Sequence, residues 1–121
     1  MLGPVEFYIH ELDRSVVILS ADGGLNSDTA VEFVKQLETL VESGVTEIIV
    51  DCTQLDYISS YGIGTLVRLH TKLARQGGDV KIAAPKSMVL NTLTMMGMGK
   101  LFQIYPDVNR ARLAFRKKEP N

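Results

Sequence analysis

Cysteine, histidine and tryptophan are scarce in this sequence, which limits how the fold can be held together. Its 121 residues include one cysteine, two histidines and no tryptophan. A single cysteine, Cys52, excludes an intrachain disulfide, and His10 and His70 lie too far apart in sequence to form a credible zinc set with it. We therefore expect no metal site, an inert core thiol at Cys52 and a structural role for His70.

Long apolar runs and a large excess of one charge are also missing. No stretch approaches the roughly 18 apolar residues of a membrane-spanning helix, and the first residues lack the basic segment and apolar run of a signal peptide. The formal net charge is -1, from 13 basic and 14 acidic side chains, which provides no general attraction to nucleic acid or anionic lipid. We therefore expect a cytoplasmic protein that neither inserts into membranes nor binds nucleic acid.

Recognisable catalytic motifs are absent as well. The sequence contains no nucleophile elbow G-x-S-x-G and no Walker A loop. The fragment "GIGTLV", which begins at Gly62, is only part of a dinucleotide-binding fingerprint, and it lies well beyond the end of the preceding predicted strand. We therefore predict no catalytic residues, no cofactor and no enzymatic activity.

Hydrophobic periodicity, by contrast, is strong along the whole chain. Apolar residues at helical spacing predict two long amphipathic helices, the first capped by Asn26 or Ser27 and ended by Gly44, the second ended by Gly77 and Gly78. Short β-branched runs predict buried strands around them. The predicted elements are strands at 5–12 and 14–21 joined by a tight hairpin at Asp13, a turn at 21–28, the first helix, a strand at 45–52, the second helix, a strand at 79–85, a helix at 86–98, a strand at 101–106 and a helix at 107–116.

The order ββαβαβαβα predicts an α/β fold in which a mixed sheet of about four to five strands is covered by helices. The length favours one domain over residues 1–121, because a chain of this size buries enough surface to be stable without covalent staples. We expect the folded core to span about residues 5–115 and the polar residues 116–121 to form a frayed tail.

One short segment departs from good helical sequence, namely "DYISSYGIG" at 56–64. Gly62 and Gly64 open the second long helix, although glycine inside a helix costs about 1 kcal/mol relative to alanine. Either Ser59 or Ser60 can cap this helix, and a simple capped loop explains the serines but not the glycines. Without side chains, the glycines would leave the first turn open to another backbone or to a partner.

This opening would suit a site of serine phosphorylation. A phosphoryl group adds a charge of roughly −1.5 to −2, which the positive end of a helix tolerates. The same charge would disrupt an interface built around a neutral hydroxyl. The segment therefore has two interpretations, a capped loop or a phosphorylation-controlled contact surface.

Two further groups of side chains are candidates for partner contacts. A basic stripe on the exposed side of the second helix consists of Arg68, Lys72 and Arg75. It is either a solvated face with cations near the helix C-terminus or a contact for an acidic partner. The late methionines are expected to fill the core, with one or two available at the surface as adaptable contacts. They are Met88, Met95, Met96 and Met98.

The segment "DCTQLDYISSYGIGTLV" at 51–67 resembles the core pattern of STAS domains of the anti-sigma factor antagonist family. That pattern has an acid at a strand end, here Asp51, then a hydrophobic loop and D-S-S/A-G-L-G at the start of a helix. The upstream "GGLNSDTA" at 23–30 resembles G-x-L-D-x-x-T-A, and residues 93–115 resemble the closing helix, strand and helix. The resemblance covers about residues 5–115, and the order and spacing of its motifs make it fairly specific.

The resemblance implies a non-catalytic partner-switching regulator. Unphosphorylated, the protein would bind a serine kinase that also acts as an anti-sigma factor. That kinase would use ATP and magnesium to phosphorylate Ser60 and release the protein, and a serine phosphatase would reset it. By the same resemblance, the partner-binding residues would be Asn26, Ser59, Tyr61, Gly62, Ile63, Gly64 and Met96.

This chain departs from the family pattern at three of these positions. Ser59 stands where many relatives have aspartate, Asn26 replaces an acid, and Tyr61 replaces a small residue, so the docking surface loses two negative charges and gains bulk. Two alternatives keep the fold but change the function. One is a STAS subunit docked on the ATPase of an ABC-type lipid or solute transporter. The other is a small-ligand module that uses the serine turn as an anion site.

Overall fold

A computed structural model describes residues 6–11 and 16–116 of the chain. The predicted hairpin residue Asp13 and the tail beyond residue 116 lie outside this part. The strands are β1 (Glu6–Glu11), β2 (Val16–Leu25), β3 (Glu47–Asp51), β4 (Leu55–Ile58), β5 (Asp79–Ala83) and β6 (Gln103–Tyr105). The α-helices are α1 (Ser27–Glu42), α2 (Ser60–Arg75), α3 (Ser87–Met95) and α4 (Val108–Arg116), and a 3₁₀ turn lies at Met98–Lys100.

The strands form a mixed sheet, as the element order predicts. Its main path runs β1-β2-β3-β5-β6, with β1 antiparallel to β2 and the remaining pairs on the path parallel. Ile18 lies opposite Ile49, and Val50 lies opposite Ile82, so β-branched side chains meet along the centre of the sheet. The predicted fold class and the order ββαβαβαβα are confirmed, with one strand added to that order.

The added strand is β4, and it changes the interpretation of residues 21–28. The sequence predicts a turn there, but β2 continues to Leu25 and pairs in parallel with β4. The register shifts between Gly23 and Gly24, where Gly23 has a φ of 100°. Glycine adopts this conformation without the steric cost of a Cβ, so the strand bends and continues instead of ending.

The sheet separates two apolar clusters, which gives the molecule three layers. The larger cluster lies beneath α1, α2 and α3 and includes Phe33, Leu66 and Leu93. The smaller one lies beneath α4 and includes Ile49 and Phe115. Alternation along each strand sends successive side chains to opposite layers, so both faces of the central strands are buried.

The helix boundaries follow the predicted caps and glycines. Asn26 is the N-cap of α1, since its Oδ1 accepts a hydrogen bond from the Thr29 backbone N–H at 2.9 Å. Gly44 and Gly77 follow α1 and α2 with φ of 97° and 78°, the left-handed conformation that ends helices. Within the described ranges, no helix is long and apolar enough to cross a membrane.

Candidate functional site

The serine turn, residues Ser59–Gly64, joins β4 to α2 at the end of the β2 extension. Ser59 has extended backbone angles, φ −84° and ψ 167°, and its Oγ accepts a hydrogen bond from the Gly62 N–H at 3.1 Å. Its own N–H donates to the Leu25 carbonyl at 2.7 Å. Ser59 is therefore the N-cap of α2, and it ties the start of the helix to β2.

Ser60 is the first residue of α2 and has a different environment. It is exposed, and among the described residues no side chain or backbone group forms a hydrogen bond with its hydroxyl. The first turn of α2 contains no acidic residue that would offset the partial positive charge of the helix N-terminus. A nucleophilic or phosphorylated oxygen at Ser60 would thus lie at the surface, in the first turn of a helix, where backbone N–H groups generally lack partners within the helix.

The two glycines of the turn have separate roles, and only one of them is open to solvent. Gly62 is buried, and a Cβ there would lie 3.0 Å from Ile58 Cγ1 and 3.3 Å from the Leu25 carbonyl oxygen. A Cβ on Gly64, which is exposed, would have no atom within 4 Å. The expectation that both glycines leave space for a partner is therefore wrong for Gly62, because the protein's own strands occupy that space.

The predicted partner-binding residues divide into a surface group and a buried pair. Gly62 and Ile63 are buried, and Ile63 belongs to the larger core cluster, so neither presents a side chain at the surface. The exposed members are Asn26, Tyr61, Gly64 and Met96, with Ser59 half-buried. Because Leu25 pairs with Ile58, the residues that follow them, Asn26 and Ser59, leave the two strands side by side.

Met96 follows α3, which packs against β4. Lys86, the N-cap residue of α3, forms an ion pair with Asp56 of β4 at 2.5 Å. The prediction that the late methionines mainly fill the core is wrong for three of them, since Met88, Met95 and Met96 are exposed. Only Met98 packs against the core. The α3 surface is therefore rich in adaptable apolar side chains, and β4 connects it to the serine turn.

Asp51 and Cys52, at the end of β3, have structural environments. The Asp51 carboxylate accepts hydrogen bonds from the Thr53 backbone N–H at 3.0 Å and from Ser20 Oγ at 3.3 Å. Cys52 is 2% exposed, and burial, with a smaller contribution from the Asp51 charge, raises its pKa to about 12. The thiol stays protonated at neutral pH, which agrees with the predicted inert role.

His70 also has structural partners. His70 packs edge-on against Phe102 with ring centroids 5.6 Å apart, and its Nε2 lies 3.6 Å from Asp79. No group of three or more candidate metal ligands occurs within residues 6–11 and 16–116. The serine turn with its exposed neighbours is therefore the candidate functional site.

The sequence matches the STAS domain family model over residues 9–111. The chain therefore belongs to the STAS domain family. A curated relative from Thermotoga maritima is 24% identical over 110 residues, which cover 90% of this chain and 97% of the relative. That protein is provisionally named an anti-sigma factor antagonist.

Solved structures show the same fold. An anti-sigma factor antagonist from Mycobacterium paratuberculosis has a TM-score of 0.84 at 20% identity, covering 93% of this chain and 94% of that one. The unphosphorylated anti-sigma factor antagonist SpoIIAA has a TM-score of 0.82 at 19% identity, with 95% and 100% coverage. A sulfate transporter family protein from Wolinella succinogenes is also similar, with a TM-score of 0.74 at 15% identity and 89% coverage of each chain.

Proposed function

We propose that this protein is an anti-sigma factor antagonist that acts by partner switching. In its unphosphorylated form it binds a serine kinase that also acts as an anti-sigma factor, and so frees the sigma factor. The kinase transfers the γ-phosphoryl group of ATP, with magnesium, to the Ser60 hydroxyl, and the complex dissociates. A serine phosphatase hydrolyses the phosphoserine and restores the binding form. The protein itself contributes no catalytic group and acts in the cytoplasm.

The observation that carries this proposal is that the hydroxyls of Ser59 and Ser60 have different environments. Ser59 uses its hydroxyl as a cap, and its N–H is bonded to β2. Ser60 is exposed, and no other residue of the described part of the chain forms a hydrogen bond with its hydroxyl. Helix capping explains the serine at position 59 but not the serine at position 60. The second serine is available to a kinase without any loss of folding interactions.

Electrostatics explains why phosphorylation would change binding but leave the fold intact. A phosphoryl group at the first position of α2 adds a charge of roughly −1.5 to −2 at the positive end of the helix, where anions are stabilised. A docked partner would face the same charge at a dehydrated contact, which costs on the order of 2–5 kcal/mol of affinity. The switch therefore needs no conformational change in this chain.

The proposed docking surface consists of the serine turn and its exposed neighbours. Tyr61 is 47% exposed and supplies an aromatic side chain of the type enriched in interface cores. Gly64 leaves the same turn open, whereas Gly62 and Ile63 act by fixing its position. Asn26 borders this surface where β2 and β4 end, and Met96 follows α3, which packs against β4. The anti-sigma factor antagonists that share this fold support the proposal, and one of them, SpoIIAA, is known in phosphorylated and unphosphorylated forms.

A second candidate function is a permanent contact with the ATPase of a lipid or solute transporter. The apolar side chains exposed on α3 favour it, because Met88 and Met95 are 62% and 87% exposed. This candidate predicts a stable complex that does not depend on the charge at Ser60. The likeness to a transporter family structure agrees with it in fold alone.

The deciding experiment is isolation of the protein from its native cell, with its bound partners, followed by fragment mass spectrometry. We expect an ATP-dependent serine kinase in the complex and phosphate on Ser60 in the free fraction. The Ser60→Ala variant should remain bound in the presence of ATP and magnesium, while Ser59→Ala should still be phosphorylated. A transporter ATPase as the stable partner, or phosphate mainly on Ser59, would contradict the proposal.

A further inference from the structure

A groove between α1 and α2 adjoins the serine turn, and the proposed switch makes no use of most of it. The groove encloses about 480 Å³, within the roughly 300–1,000 Å³ typical of small-molecule sites, and it runs from Val31 to Val41 along α1. Leu37 and Leu69 form part of its floor, and they are 3% and 6% exposed. The floor is therefore apolar and is formed by side chains that the core already holds in place.

The rim of this groove is positively charged. Lys35 of α1 and Arg68 and Lys72 of α2 line it, with Glu38 as the one acidic residue in the lining. All three cations are exposed, and none forms an ion pair with another described residue. Arg68 and Lys72 are four residues apart on one helix, a spacing at which like charges repel.

The positive rim is not a consequence of general composition, since the whole chain has a formal net charge of -1. Among the described residues that line the groove, three cations without an ion pair and one acid give it a positive charge. Of the three residues in the basic stripe predicted on α2, Arg68 and Lys72 border the groove, whereas Arg75 does not. The combination of an apolar floor and a cationic rim fits an occupant with an apolar body and an anionic group.

The dimensions of the groove favour a narrow occupant. The α1 side from Val31 to Val41 is about 15 Å long at 1.5 Å per residue. The groove volume of about 480 Å³ lies in the range of small-molecule sites, which favours a single alkyl chain over a partner helix as its occupant.

We propose that this groove binds an amphipathic anion, namely a single alkyl chain that carries a carboxylate. The chain lies on the floor formed by Leu37 and Leu69, and the carboxylate pairs with Arg68 and Lys72. Arginine binds a carboxylate with two parallel hydrogen bonds, and lysine adds a point charge. This activity is separate from phosphorylation of Ser60, and it requires neither a kinase nor a sigma factor.

Decanoate, below its micelle concentration, is the probe, and ¹⁵N-labelled full-length protein is the reporter. We expect saturable shifts of the amide resonances of Val34, Leu37 and Leu69. Decyl maltoside, with the same chain and a neutral head group, should bind at least tenfold more weakly. Equal affinity for the two probes, or shifts confined to residues outside the groove, would overturn the proposal.

Two charge-matched double variants separate the rim from general electrostatics. Arg68→Gln with Lys72→Gln should weaken decanoate binding at least tenfold, while Arg75→Gln with Lys100→Gln should change it less than twofold. All four side chains are exposed, so both variants should melt like the wild type. If the Arg68 and Lys72 variant is unstable, Lys35→Gln provides an independent test of the same rim, with an expected loss of about threefold.

Three results from this set would contradict the proposal. The first is equal weakening by both double variants, which would indicate unspecific charge attraction. The second is binding to phosphatidylglycerol vesicles without any response to free decanoate, which would indicate a membrane surface. The third is displacement of decanoate by an acidic amphipathic peptide at far lower concentration, which would indicate a protein partner for the groove.

Discussion

Ser59 and Ser60 are adjacent, yet their hydroxyls have different environments, and substitutions should separate them. Ser59→Ala removes the bond to the Gly62 N–H, so unfolding free energy should fall by about 1 kcal/mol. Ser60→Asp places a negative charge at the start of α2, so stability should change by no more than about 1 kcal/mol. Kinase affinity should fall by about 2–5 kcal/mol for Ser60→Asp alone.

Urea denaturation and partner titration on the same preparations measure both effects. Ser60→Thr is the matched control, because it keeps a neutral hydroxyl at the same place. If Ser60→Asp unfolds the protein, or binds the kinase as tightly as the wild type does, the turn is not controlled by charge.

Cys52 gives a second prediction at the residue scale, concerning alkaline stability. Burial raises the pKa of the folded thiol from 9.0 to about 12, so the folded state disfavours the thiolate. The stability linked to this group is fully present below pH 9 and is lost as pH rises towards 12. The slope contributed by one proton is about 1.4 kcal/mol per pH unit.

Cys52→Ala should therefore show a flatter loss of stability between pH 9 and pH 11 than the wild type. At pH 7 this variant should be modestly less stable, because it loses buried contacts. Denaturation curves at several pH values provide the test. Parallel pH profiles for the two proteins would show that the thiol does not ionise on unfolding. Rapid modification of the native thiol by a disulfide reagent at pH 8 would contradict its buried state.

At the scale of elements, α2 packs its first turn directly onto the strands before it. Gly62→Leu should destabilise the protein by about 1–3 kcal/mol or more, because its side chain would enter space held by Ile58 and Leu25. Gly64→Leu, two residues away, should leave stability equal or slightly higher, since leucine favours helix and the site is open. Thermal unfolding of this matched pair is the measurement.

Partner affinity should show the opposite order to stability when only the folded fraction of each variant is counted. Gly64→Leu should weaken binding more than Gly62→Leu does. Gly64→Leu adds bulk to the exposed turn and should weaken kinase binding although the protein stays folded. Equal melting temperatures for Gly62→Leu and Gly64→Leu would contradict the close packing described here.

Sequence periodicity predicted the long elements correctly because their apolar faces repeat over several turns. The β2 extension was missed, since the glycines at 23 and 24 are typical of turns and only a partner strand reveals their pairing. β4 has just two buried residues, Leu55 and Ile58, which is too few for a period to show. The prediction for the exposed methionines was wrong for a related reason. Methionine is common in cores, and the neighbouring sequence does not show whether a given methionine is buried.

Lys81 is the opposite case, a charged residue whose burial the sequence does not predict. Its position in "DVKIA" is typical of a solvent-facing residue, yet the side chain is 1% exposed. Its Nζ lies 3.1 Å from Asp79 Oδ2 and 4.4 Å from the Phe115 ring centroid, and it also donates to Gln103. Most of these partners come from β6 and α4, so only the assembled fold can satisfy the buried charge.

At the scale of the whole molecule, the two faces of the sheet have different roles. The serine turn and the cationic groove involve α1 and α2 on one face, whereas α4 covers the other around Phe115 and Lys81. The sequence predicts Ser60 as the acceptor and most of the serine turn, because these residues lie in one continuous motif. The groove is not predicted by the sequence, because its two walls, α1 and α2, are brought together only in the folded chain.

The pairing of β2 with β4 has a consequence for how a kinase would recognise its substrate. The Ser59 N–H bonds to Leu25, which is distant in sequence, so the local shape around Ser60 exists only after the chain has folded. A synthetic peptide of residues 53–68 carries both serines but has no β2 to hold them. It should be phosphorylated at least a hundredfold less efficiently than the intact protein, measured as kcat/KM with the same kinase. Comparable rates would show that the kinase reads a linear motif. If the expected difference is observed, the proposed phosphorylation would act only on molecules that have finished folding, and the kinase would not recognise newly made or damaged chains.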